Sequence, residues 1–129
     1  MIVVDASVAI GWLDDADAQH ASATQLLLDH VGDDLVLHPL TLAEVLVGAT
    51  RAGKVELARD LLVRAGFRAD VTDVDQPVRL ARMRVDTGLK LPDCCVLDVA
   101  EFQGASLATF DTCLADEARG RGVEVIAGA

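Results

Sequence analysis

The chain opens MIVVDASVAIGWLDD (residues 1–15), and its fifth residue decides how the rest is read. Ile2, Val3 and Val4 form a short apolar run of the kind that makes a buried strand, and a helix-like stretch follows. Asp5 therefore stands where an interior strand ends. A carboxylate there is costly unless something compensates its charge.

Working outward, the same short apolar runs recur. Residues 35–38, 71–74, 106–109 and 123–126 read as further strands, the second of these weaker than the others. Helical patterns lie between them, at 18–31, 42–51, 55–65, 77–87, 92–102 and 112–119. Pro77 and Pro92 each sit at an expected first helical position. Short apolar strands alternating with helices predict a parallel sheet covered on both faces. At 129 residues the chain is expected to be a single domain, 1–129, with its own core.

Composition narrows the class. Hydrophobic residues make up 52%, which argues against disorder. No run approaches the roughly 20 apolar residues of a bilayer span, and Asp5 replaces the basic start of a signal peptide. The expectation is a cytoplasmic protein that does not enter a membrane. Cys94, Cys95 and Cys113 are an odd count with no C-x-x-C pair, which suits reduced thiols better than a disulfide framework or a zinc site. The net charge of -10 repels nucleic acid and attracts a basic partner.

Ligands of such sheets bind beyond the carboxyl ends of the strands. Four acids are expected at that edge. Asp5 ends the first strand, and Glu44 follows the second in HPLTLAEVL. Asp93 opens the helix of LPDCCVLD, and Asp111 follows the fourth strand in SLATFD. Four converging carboxylates would repel one another, and a divalent cation is the natural compensation. Oxygen ligands without a His or Cys set favour Mg²⁺ or Mn²⁺. Each acid but Asp5 also has a purely structural alternative. Thr41-x-x-Glu44 fits a capping box, Asp93 suits the positive end of its helix, and Asp111 suits an N-cap.

VVDASVAIGWL, PLTLAEVL, LPDCCVLDVA and LATFD, in that order, resemble the motifs of PIN domains, especially the VapC-type toxins of bacterial toxin–antitoxin pairs. The resemblance implies a PIN-like three-layer α/β/α fold with a short central parallel sheet. It implies that Asp5, Glu44, Asp93 and Asp111 hold Mg²⁺ or Mn²⁺ for RNA hydrolysis, with Ser7 and Thr109 as accessory hydroxyls. It also implies a homodimer and an antitoxin partner whose basic tail enters the acidic pocket. Arg79, Arg82 and Arg84 supply a candidate grip on flanking phosphates.

Several residues stand outside this pattern. Asp98 lies about 500° around the helix from Asp93 and is expected on another face. Asp116, five beyond Asp111, is an optional accessory acid. His20, His30 and His38 lack ligand spacing, and His38 is expected only as a strand-end residue. Two other readings compete with the nuclease. One is a non-catalytic acidic interaction module on the same fold. The other is a Mg²⁺-binding phospho-acceptor domain, which wants a lysine on a late strand, whereas Lys90 precedes a helix. An aspartyl-nucleophile phosphatase is weaker, because no second aspartate lies two residues beyond Asp5.

Overall fold

The computed structural model describes residues 1–126, so the last three residues of the expected 1–129 domain lie outside it. The elements run β1 (Ile2–Val4), α1 (Ala6–Leu13), α2 (His20–Asp29), β2 (Leu35–Val36), α3 (Pro39–Arg51), α4 (Val55–Arg64) and β3 (Phe67–Arg68). They continue through α5 (Gln76–Thr87), α6 (Leu91–Gln103), β4 (Ser106–Ala108), α7 (Thr112–Gly120) and β5 (Val125–Ile126). The five strands form one parallel sheet in the order β3-β2-β1-β4-β5. This is the expected three-layer α/β/α architecture.

The opening run is the centre of that sheet. Val3 pairs with Val36 on one side and with Leu107 on the other. Side chains alternate across a strand, so β1 feeds two cores. Val3 packs with Val36, Leu107, Val96, Leu97 and Leu114 on one face. Ile2 and Val4 pack with Val8, Leu26, Leu35, Leu37 and Leu62 on the other. Val3, Val4, Val36 and Leu107 are all fully buried, each contributing on the order of 1.5–3 kcal/mol by leaving water. Burial on both faces is why these strands are apolar throughout rather than alternating.

Two boundaries differ most from the sequence reading. The third strand is Phe67–Arg68, registered on Leu35 and Val36, and not residues 71–74. Val71 is buried within a loop, while Val74 is 91% exposed. A two-residue strand is too short to show a period, and the β-branched run after it carried the stronger signal. Helix α3 begins at Pro39 rather than at residue 42, because His38 serves as its N-cap. His38 Nδ1 accepts from the Leu40 amide at 3.0 Å, with Pro39 at the position where a missing N–H costs nothing.

Candidate active site

Asp5 follows β1 directly. Its amide still pairs with the Ala108 carbonyl of β4 at 2.9 Å, so the chain turns into α1 only after the carboxylate is set in place. Its side chain makes no capping bond to α1. Two hydroxyls hold it instead. Ser7 Oγ donates to Asp5 Oδ2 at 2.9 Å and Thr109 Oγ1 donates to the same oxygen at 2.8 Å. Both donors fall on Oδ2, leaving Oδ1 as the oxygen available to a ligand. The two hydroxyls are themselves pinned, since Ser7 Oγ accepts from the Phe110 amide and Thr109 Oγ1 from the Asp111 amide. The turn after β4 and the turn after β1 are thereby tied around a carboxylate that is only 8% exposed.

The other acids reach the same edge from three helices. Glu44 lies on α3, Asp93 in the first turn of α6, and Asp111 at the N-cap of α7. Burial of the carboxyl pushes Glu44 up from the ordinary carboxylate value, and repulsion by Asp5 and Asp93 adds to it. Asp93 is pushed up in the same way, by burial first and then by Asp5 and Asp111, with Lys90 opposing. A helix N-terminus alone would favour the anion, whereas burial and the neighbouring carboxylates act against it at Asp93. Repulsion thus links Asp5, Glu44, Asp93 and Asp111 into one set. They do not close on a single point: among the described residues, no three Asp, Glu, His or Cys side chains are already gathered tightly enough to enclose a cation.

The structural alternatives separate here. The capping-box reading of Thr41 and Glu44 fails, because His38 is the N-cap and Thr41 lies inside the helix, buried. Asp111 does cap α7, its Oδ1 accepting from the Leu114 amide at 3.1 Å, and it still acts on Asp93. Asp116 is exposed on α7 with Arg119 at 3.6 Å.

The arginine expectation needs correction at Arg79. Its guanidinium is committed to Asp73 and Asp98 and lies over the Phe102 ring, 3.8 Å from the centroid. Four of its five N–H donors are taken by those two carboxylates, which makes it a poor grip for a phosphate. Arg82 and Arg84 remain exposed on α5. Asp98 faces α5, away from Asp93 as the helical angle predicts, but it is one of the most buried polar residues of the molecule, at 3% exposure. Sequence reasoning missed the set around it. His38 Nε2 bonds Gln76 Oε1 at 2.9 Å, and Gln76 Nε2 donates to Asp98 Oδ2 at 3.2 Å. The one available signal was an acid inside the otherwise apolar run CCVLDVA.

A groove of about 440 Å³ opens beside the acids, between α1, α3 and α4. Ile10, Leu57 and Leu61 supply apolar wall, and Asp14, Asp15 and Glu44 supply an acidic rim in which Lys54 is the one basic group among the described residues. Glu44 thus belongs to both the groove and the acidic edge.

A parallel α/β/α domain with carboxylates beyond the ends of its central strands is the class that fold and site define. The PIN-domain family model matches residues 2–119, and the chain belongs to the PIN-domain family. A toxin–antitoxin complex from Klebsiella pneumoniae contains a similar chain, 25% identical, with a TM-score of 0.72 over 87% of this chain and 88% of that one. Mycobacterium tuberculosis VapC20, a sarcin–ricin loop cleaving toxin, is 18% identical with a TM-score of 0.75, covering 91% of this chain and 95% of its own. VapBC2 from Rickettsia felis, bound to a DNA fragment from its promoter, is 13% identical with a TM-score of 0.71 over 100% of both chains. No curated protein matches the sequence. Among the described residues, no helix is long and apolar enough to cross a membrane.

Proposed function

We propose that this chain is a Mg²⁺- or Mn²⁺-dependent endoribonuclease, acting as the toxin of a toxin–antitoxin pair. The observation that carries the reading is Asp5, a nearly buried carboxylate that two hydroxyls orient, beside Glu44 and Asp93, which burial and then repulsion from Asp5 push up. Such repulsion is expensive in a structural cluster and useful in a cation site. Family membership and the similarity to toxin structures support the same reading.

The donor set fits the cation. All four side chains offer hard oxygen, and Mg²⁺ binds through few carboxylates while keeping several waters, so a closed protein cage is not required. Asp5, Glu44, Asp93 and Asp111 are the residues that would hold it. When bound, the ion lowers the pKa of a water and neutralises charge on the scissile phosphate. The chain's own work is positional. Ser7 and Thr109 fix the Asp5 carboxylate in one rotamer, and the cap bond to Leu114 fixes Asp111. Lys90, near Asp93, is a positive group placed to meet a flanking phosphate. Arg82 and Arg84 are further candidates for that contact.

The partner reading rests on the groove. An apolar wall with an acidic rim suits an amphipathic basic segment, and a net charge of -10 favours its approach. We assign the antitoxin's basic tail to this groove, with its charge reaching Glu44, and the active form to a homodimer.

The test is incubation of partner-free, folded protein with total RNA in Mg²⁺, in Mn²⁺ and in chelator, followed by mapping of new ends. Defined ends in metal and none in chelator are expected. Intact RNA in both metals would instead favour the non-catalytic interaction module.

A further inference from the structure

The polar set linking α3, α5 and α6 has no part in binding metal or RNA as described above, yet it joins the two helices that carry two of the four acids. His38 caps α3, the helix of Glu44. Asp98 lies on α6, the helix of Asp93. Gln76, the first residue of α5, bridges them. His38, Gln76 and Asp98 are 7%, 5% and 3% exposed, so each bond is made away from water, where an unpaired group is costly.

The chain of bonds has only one polarity. His38 Nδ1 accepts from the Leu40 amide, so its proton sits on Nε2 and is donated to Gln76 Oε1. That fixes the amide of Gln76, whose Nε2 donates to Asp98 Oδ2. Arg79 closes the far end, donating from Nε to Asp98 Oδ1 at 2.9 Å and from Nη2 to Oδ2 at 3.1 Å. Arg79 is in turn held by Asp73, to which Nη1 donates at 3.0 Å and Nη2 at 2.6 Å, and by the Phe102 ring. Flipping Gln76 would set donor against donor at His38 and acceptor against acceptor at Asp98. An apolar contact between the same helices would let them slide, whereas directional bonds admit one register.

We propose that His38, Gln76, Asp98 and Arg79 are positioning residues that hold α3 against α6, and so set the separation of Glu44 from Asp93. The proposal rests on the reading of those two acids as one cation site. It predicts that breaking the chain weakens metal binding beyond what loss of stability explains, as happens when groups supporting metal ligands are removed.

The test is a two-residue cycle. Gln76→Glu keeps the acceptor for His38 but sets a carboxylate against Asp98. Asp98→Asn alone loses charge against Arg79. Together they restore the link between α5 and α6, because the amide introduced on α6 donates to the carboxylate introduced on α5 and its oxygen still accepts from Arg79 Nε, although the bond from Arg79 Nη2 is lost. Mn²⁺ is titrated while melting is followed, with Leu62→Ala as a control for stability loss on α4, away from the chain. Each single variant is expected to raise the Mn²⁺ midpoint about tenfold, and the double variant to recover part of that. Leu62→Ala should melt lower with the midpoint unchanged. Single variants that melt lower but keep the wild-type midpoint would overturn the proposal. A second arm needs no metal. Amide exchange at Leu40 and Leu42, in the first turn of α3, should accelerate more in Gln76→Glu than at Leu107 in β4, and uniform acceleration would overturn the proposal. A wild type that ignores Mn²⁺ would refute the cation reading of the acids, and the exchange arm then decides the positioning claim by itself.

Discussion

Thr109 donates a 2.8 Å hydrogen bond to Asp5 across 104 residues of sequence, joining the ends of the two central strands β1 and β4. The bond explains how a carboxylate can sit at the end of an interior strand. Its buried oxygen receives two hydroxyl donors, and the charge is offered from one side only. The fold supplies this arrangement because Val4 and Ala108 are in register, so that the residues following them emerge together.

Replacing Thr109 by valine keeps its shape and removes that donor, along with the acceptor for the Asp111 amide. We expect stability to fall by about 1–3 kcal/mol, since buried polar groups are left unpaired. RNA cleavage should fall by at least about tenfold. Denaturant unfolding and a cleavage assay of the same preparation measure the two effects. A variant as stable and active as the wild type would show that the hydroxyl does not orient Asp5.

Glu44 and Asp93 give the metal-free protein a distinct pH dependence. Both are raised in the folded state above ordinary values of 4.5 and 3.8. Their contribution to stability is therefore complete below the ordinary values and is lost as pH rises through the raised ones. Asp34, Asp70 and Asp73, lowered mainly by bonds from Arg68 and Arg79, act in the opposite sense, but they are common to wild type and variant. In chelator, Glu44→Gln and Asp93→Asn should thus melt above the wild type at pH 7, with the difference shrinking towards pH 4. Melting curves across that range would contradict the account if the variants melted below the wild type at neutral pH.

Asp111 has two roles that substitution can separate. Asparagine preserves the cap on α7, whereas alanine removes it at a cost of about 1 kcal/mol. Both variants should lose metal-dependent cleavage. If Asp111→Asn stays fully active while Asp111→Ala only loses stability, capping is its whole function.

Much of this was legible from side-chain type alone. Asp5 stood out because a charge at the end of Ile2–Val4 contradicts burial, and the contradiction pointed to the site. The alternation of apolar runs and helices sufficed for the parallel sheet. What the sequence concealed is three-dimensional in origin. Phe67–Arg68 is a strand only because it pairs with β2. His38 reads as an ordinary strand-end residue until its ring nitrogen is seen capping α3. Arg79 resembles its neighbours Arg82 and Arg84 on α5, and only the folded chain shows it spent on Asp73 and Asp98. The spacing of Asp98 from Asp93 excluded it from the acidic edge, but nothing local announced its partners.

The cysteines offer a check on packing. Burial pushes the Cys95 thiol up to about 11 and raises Cys94 as well, whereas Cys113 is exposed. A thiol reagent at neutral pH should modify Cys113 alone in the native protein, and all three after unfolding. Mass spectrometry reads this directly. Native modification of Cys95 would mean that α6 is not packed as described.

The most direct measurement of the central claim is cleavage of a labelled RNA by wild type and Asp5→Asn, followed through a Mn²⁺ titration and then reversed by chelator. The account predicts cutting that rises with Mn²⁺, stops on chelation and is lost in Asp5→Asn, although that variant remains folded. Cleavage that persists in chelator, or that Asp5→Asn retains at the wild-type rate, would contradict it.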